Sequence, residues 1–211
     1  MTEPNASIDD VIRSLEKEAE ENPDNVIALS RLAMACWKGG RLDEAIALTT
    51  KAADLDNTNA TLYVNLGGYY YQKGDLSAAI RENEKAIRIN PYLTQAYSNL
   101  GFAWMQRGDW DKAITYLEKA LEINSEFPEG WVNLSTAYIE KGRYDEALES
   151  ARKAVEKKPD FGLAYNNAAV AYYYKKEYKL SEENCRRAVE LGYKVHPEFM
   201  RALEEHKEKG N

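Results

Sequence analysis

Apolar residues recur along this chain with a helical period that restarts at fixed intervals. Over residues 60–93, Tyr63, Leu66, Gly67 and Tyr70 stand at offsets of three, four and seven, which places them on one face of a helix. Gly74-Asp75 interrupts the pattern, and a second face follows in Leu76, Ala79, Ile80, Asn83, Ala86 and Ile87. Asn90-Pro91 ends that second helix, because proline cannot extend it and pushes the preceding residue out of helical geometry. The stretch therefore predicts a helix–turn–helix hairpin. Shifting the chain by 34 residues lays the pattern on itself.

Five such hairpins run without insertion, over 26–59, 60–93, 94–127, 128–161 and 162–195. The fourth position reads Leu29, Tyr63, Tyr97, Trp131 and Tyr165, and the eighth reads Ala33, Gly67, Gly101, Ser135 and Ala169. In the second helix the twentieth position reads Ala45, Ala79, Ala113, Ala147 and Ser181, and the twenty-seventh is alanine in every repeat. Small residues at positions 8, 20 and 27 let paired backbones approach, and large ones at positions 4 and 11 fill the spaces between turns. A hairpin apolar on more than one side is stable only when stacked on its neighbours. The expected fold is all-α, a right-handed solenoid of antiparallel helix hairpins with the first helices lining its concave side.

The flanks continue the register. Residues 8–21 form a helix with Ser7 as N-cap and Asp10 as its capping-box partner. Pro23 falls where Pro91 falls, so this helix resembles the second half of an absent hairpin within an acidic segment, 1–25. Residues 196–211 hold a short last helix with Phe199, Ala202, Leu203 and His206 on one side and Arg201, Glu204, Glu205, Lys207 and Glu208 on a solvating side. The fifth repeat departs most from the pattern, with Lys176 where Gly40, Gly74, Gly108 and Gly142 mark the other turns. Gly192 is placed to cap its second helix.

Charge and composition narrow the function. The formal charge is −7, and residues 1–25 hold eight acids against two bases. Nucleic acid is not an expected partner, since phosphate binding needs a basic stripe. The N-terminus has no secretory leader and no segment approaches membrane-span length, so a cytoplasmic protein without membrane insertion is expected. Cys36 and Cys185 stand at core positions without metal-ligand spacing. The two histidines, His196 and His206, lie too far apart along one helix to grip a metal jointly. No cofactor, metal site or catalytic constellation is expected, and the chain is not expected to be an enzyme.

Tyr63, Leu66, Gly67, Tyr70, Ala79 and Pro91 match the signature of the tetratricopeptide repeat, with Asn83 in place of its phenylalanine. The chain is similar to that family over 26–195, and by register in the flanks. The resemblance implies a tetratricopeptide superhelix. One ligand subtype of the family, a carboxylate clamp for chaperone C-terminal tails, is disfavoured. Its five positions hold Ser30, Met34, Asn65, Gln95 and Asn99, of which Asn65 alone fits.

The register also says where recognition is expected. First-helix positions 2, 5, 6, 9, 12 and 13 form a stripe beside the core stripe, turned toward the groove. Position 6 holds Asn65, Asn99, Asn133 and Asn167, whose amides can pair with a peptide backbone or serve packing between helices. Trp37, Tyr71, Met105 and Tyr173 at position 12, with Phe102 at position 9, suit apolar anchors or packing between adjacent first helices. Gly68, a second glycine in mid-helix, is unfavourable by about 1 kcal/mol relative to alanine; it is either room for a ligand backbone or ring, or a neutral irregularity. The expected function is a non-catalytic adaptor binding a peptide or partner segment. The alternative is a self-assembling scaffold, a homo-oligomer in which the N-terminal helix docks on a neighbouring protomer.

Overall fold

The computed structural model describes residues 7–209, with the backbone alone at 207–209. The N-terminal residues 1–6, with the acidic Glu3, and the tail 210–211 lie outside that range, as do the Lys207 and Glu208 side chains assigned to the solvating face. The described residues form twelve helices and no strand: α1 (Ile8–Glu21), α2 (Val26–Lys38), α3 (Leu42–Leu55), α4 (Ala60–Gln72), α5 (Leu76–Ile89), α6 (Thr94–Gln106), α7 (Trp110–Ile123), α8 (Pro128–Glu140), α9 (Tyr144–Lys157), α10 (Gly162–Tyr174), α11 (Tyr178–Glu190) and α12 (Pro197–Lys209). The densest packing is within the pairs α2–α3, α4–α5, α8–α9 and α10–α11. The fold is thus the all-helical stack of antiparallel hairpins that the periodicity predicts. It divides into two compact units within α6, between Ala103 and Trp104.

The first unit begins at Ser7, whose hydroxyl accepts the Asp10 N–H while the Asp10 carboxylate accepts the Ser7 N–H, both at 3.2 Å. This reciprocal cap satisfies two donors that the first turn would otherwise leave open. α1 buries Ile12, Leu15 and Ala19 against Leu29, Leu32 and Cys36. Two ion pairs hold its polar edge, Glu18 to Arg31 at 2.8 Å and Glu16 to Arg41 at 2.9 Å. Exposed pairs of this kind contribute about 0–1 kcal/mol each, so the apolar stripe carries most of the attachment.

The small positions of the hairpins are where backbones meet. Ala52, Ala86, Ala120, Ala154 and Ala188 are all fully buried. A Cβ at Gly67 would lie 2.0 Å from Asn83 Nδ2, so glycine there makes room for a buried amide. In the second unit hydroxyls join the paired helices: Ser135 donates to the Ala147 carbonyl at 2.8 Å, and Ser181 donates to the Ala169 carbonyl at 2.7 Å. Ser181, in place of alanine, thus serves the crossing rather than disrupting it.

The hairpin turns need left-handed backbone. Gly74 and Gly142 have φ of 83° and 72°, and Lys176 takes up the same conformation at φ 65° in the fifth repeat. A side chain there is strained, because its Cβ crowds the following carbonyl. An ion pair that spans consecutive repeats recurs beside these turns. Lys73 meets Asp43 at 2.6 Å, Lys141 meets Asp111 at 2.9 Å and Lys175 meets Asp145 at 2.5 Å. At the C-terminal end Val195, Phe199 and Leu203 pack α12 onto Ala169, Cys185 and Ala188.

Candidate functional site

In the first unit the predicted stripe opens into a cleft of ≈ 250 Å³ between α2, α4 and α6. Met34 and Trp37 border it from α2, Asn65, Gly68 and Gln72 from α4, and Asn99 from α6. A Cβ built at Gly68 meets no atom within 4 Å. The glycine is therefore not required by any close approach of neighbours, unlike Gly67 beside it. Beyond the cleft Tyr71 and Phe102 contact each other with ring centroids 5.1 Å apart. Met34 is 46% exposed and Trp37 37%, so apolar surface stands open at the cleft's border, and Phe102 on α6 is 36% exposed. Burial holds the Tyr71 phenol above its ordinary pKa, so it stays neutral under ordinary conditions.

The amides of this cleft have a defined direction. Asn83 Nδ2 donates to the Ala79 carbonyl at 2.8 Å, and a carbonyl can only accept. Asn83 Oδ1 therefore accepts, taking the Asn99 Nδ2 hydrogen at 3.2 Å, and Asn99 Oδ1 in turn accepts from Gln95 Nε2 at 2.8 Å. On the opposite wall the Trp37 indole N–H donates to Gln72 Oε1 at 2.7 Å, which directs the Gln72 NH2 group away from that bond. Asn65 is half-buried, and its amide makes no hydrogen bond among the described residues. No residue lining the cleft, among those described, carries a charge, in a chain where 30% of residues do.

The second unit places its predicted residues differently. Asn167 is 5% exposed, and its Nδ2 donates to the Val132 carbonyl at 3.2 Å and to the Thr136 hydroxyl at 2.9 Å. Its amide serves packing between α8 and α10. Tyr173 lies in an aromatic cluster with Tyr178, Phe199 and His206, at centroid distances of 5.6, 5.5 and 5.5 Å. It holds α12 in place. Met105 packs with Ile139 against Ile114, Leu117 and Ala137. Asn133 is half-buried, and its amide makes no hydrogen bond among the described residues.

Two polar residues that line the cleft escaped prediction by identity, although both lie on the predicted stripe. Gln72 and Gln95 stand at positions 13 and 2, and glutamine there reads as ordinary surface until its partners are known. The signal for the buried relay was Asn83 itself, a polar residue at an aromatic position. A larger hollow of ≈ 610 Å³ lies between α11 and α12, with Val189 and Met200 in its walls, and holds none of the predicted residues. Cys36 and Cys185 are buried thiols whose pKa burial raises. Among the described residues no three His, Cys, Asp or Glu side chains gather as a metal would need. No helix there is long and apolar enough to cross a membrane.

Paired antiparallel helices with an amide-lined cleft on their first-helix face define a helical-repeat binding module. The chain belongs to the tetratricopeptide repeat family: models described as tetratricopeptide repeat match residues 7–60 and 104–179, and one described as TPR repeat matches 67–106. No curated protein sequence matches it. Among solved structures it is similar to YrrB, described as a TPR protein with an unusual peptide-binding site. Identity is 28% and the TM-score 0.73, over 93% of this chain and 99% of that one. MamA is similar at 25% identity and a TM-score of 0.72, over 76% of this chain and 94% of the other. A chain of the APC/C hetero-tetramer Cut9–Hcn1 structure shares the fold at 21% identity and a TM-score of 0.77, over 94% of this chain but 39% of the matched one.

Proposed function

We propose that this chain is a non-catalytic adaptor that holds an extended segment of a partner protein on the first-helix face of its first unit. The observation that carries this reading is the Gly68 cleft, an open hollow bordered by exposed aromatic surface and by side-chain amides with hydrogen-bonding capacity left over. Such a surface offers apolar contact and backbone pairing together, the two components of extended-peptide recognition. YrrB, described as having a peptide-binding site, supports the same reading. Of the predicted contacts, Asn65, Asn99, Trp37, Tyr71, Phe102 and Gly68 belong to this face, and Asn133 holds the same register position within the second unit. Two free buried thiols suit a reducing compartment such as the cytoplasm.

Capture from lysate tests the reading. Wild type, Trp37→Ala/Asn65→Ala and an exterior control, Glu20→Ala, are each immobilised after their folding is verified. Proteins retained by wild type and the control but lost from the cleft variant are its expected partners. Identical capture by all three removes this face as the binding site. The scaffold alternative requires α1 to leave the Ile12–Leu15–Ala19 packing it makes on its own unit, so it predicts oligomers that disappear when residues 1–24 are deleted.

A further inference from the structure

We infer that the Gly68 cleft selects an uncharged partner segment, seating one bulky apolar side chain over Gly68 beside Trp37 and pairing an adjacent main-chain amide with the cleft's side-chain amides. This deepens the proposed function and rests on it.

Three observations carry the inference. The lining has no charged side chain to meet a buried ammonium, guanidinium or carboxylate, and desolvating an unpaired charge is strongly unfavourable. The space over Gly68 is empty to 4 Å from where a Cβ would begin, while Met34 and the Trp37 ring stand exposed at its border. That shape takes an apolar or aromatic side chain. The amide polarity is set from the Ala79 carbonyl outward, which leaves a second lone pair on Asn99 Oδ1 and the carbonyl of Gln95 as acceptors. Gln72, whose carbonyl holds the Trp37 indole, presents its NH2 as donor. A peptide bond has one N–H and one C=O, so it can use both kinds of group, whereas a carboxylate would use the donor and be repelled by the acceptors.

The probe is a displayed library of random twelve-residue peptides, selected on the immobilised full chain. Enriched peptides are then synthesised and titrated against wild type, Gly68→Phe and Asn65→Ala, each checked for cooperative unfolding. Gly68→Phe fills the cleft from a position where the backbone has room for a side chain. The expected result is a shared bulky apolar residue flanked by uncharged ones. Affinity is expected to fall about tenfold on Gly68→Phe, and by a similar factor when Glu or Lys replaces a residue next to the apolar one. Peptides that weaken on Gly68→Phe yet carry, and need, a charge beside the apolar residue overturn the inference and leave the binding site standing. Peptides that bind Gly68→Phe and wild type alike, or no enrichment at all, overturn both.

Discussion

The two units use the same register position in opposite ways. In the second unit Asn167 reaches the Val132 carbonyl and the Thr136 hydroxyl of the preceding repeat and is buried there. In the first unit the residues that precede Asn99 by the same intervals are Val64 and Gly68. Gly68 has no hydroxyl to accept, and Asn99 donates instead to Asn83 on α5. One face is thereby closed by an amide–hydroxyl bond, and the other is left open as a cleft. A repeated asparagine is therefore not a repeated function. What stands one repeat earlier, at position 9, decides which way its amide faces.

The largest expected effect separates the two asparagines. Asn167→Ala is expected to destabilise by about 2 kcal/mol, because it empties a buried site and removes two hydrogen bonds. Asn65→Ala, whose amide is unbonded among the described residues, is expected to stay within about 0.5 kcal/mol. Urea unfolding with a constant m-value measures both, and equal losses would break the comparison. Exchanging the position-9 residues sharpens it. Thr136→Gly is expected to destabilise by about 1 kcal/mol through helix propensity and the lost Asn167 bond. Gly68→Thr is expected to stabilise by about 0.3–0.5 kcal/mol and to close the cleft. Peptide binding that survives Gly68→Thr would show that the open space has no part in recognition.

A smaller effect belongs to the turns. Lys176→Gly should stabilise by about 0.5–1 kcal/mol, since left-handed backbone is unfavourable for lysine and natural for glycine. The same exchange made backwards, Gly142→Lys, should lose a similar amount, and thermal unfolding of the pair compares them directly. The last effect is one of titration. Burial first, then the hydrogen bond from the Tyr138 hydroxyl to Glu118 at 2.6 Å, push the Tyr138 phenol up to about 12. A raised phenol pKa means that its stabilisation is complete below the ordinary value of 10.0 and is lost as pH rises through about 12. Alkaline difference absorbance should show a phenol that ionises only as pH approaches about 12 in wild type and its absence in Tyr138→Phe. Tyr71, raised by burial alone, should remain in both.

Much of the fold follows from local pattern. The spacing of Tyr63, Leu66, Gly67 and Tyr70 requires one helical face, and the alanines at positions 20 and 27 require a close crossing whatever the neighbours are. Ser7 with Asp10 announces a helix start within four residues of chain. Gly192, read as a C-cap, has φ 80° and its N–H on the Val189 carbonyl at 2.9 Å. Lys176 was visible as a departure, but its backbone strain was not, because a lysine at a turn does not by itself say that φ is positive.

The candidate site was visible as a stripe and invisible as a cleft. Helix period places Asn65, Gly68, Trp37, Asn99 and Asn167 each on the corresponding face of its own helix, since a face depends only on offsets within a helix. Whether an amide on that face remains available depends on residues far along the chain. The Asn99 NH2 is engaged by Asn83, 16 positions away, and the Asn167 NH2 by Val132, 35 away. Tyr173 is withdrawn by α12 in the same way. Periodicity alone settles which residues share a surface. Stacking decides which of them that surface leaves open, because hydrogen-bond partners and filled volume come from other helices.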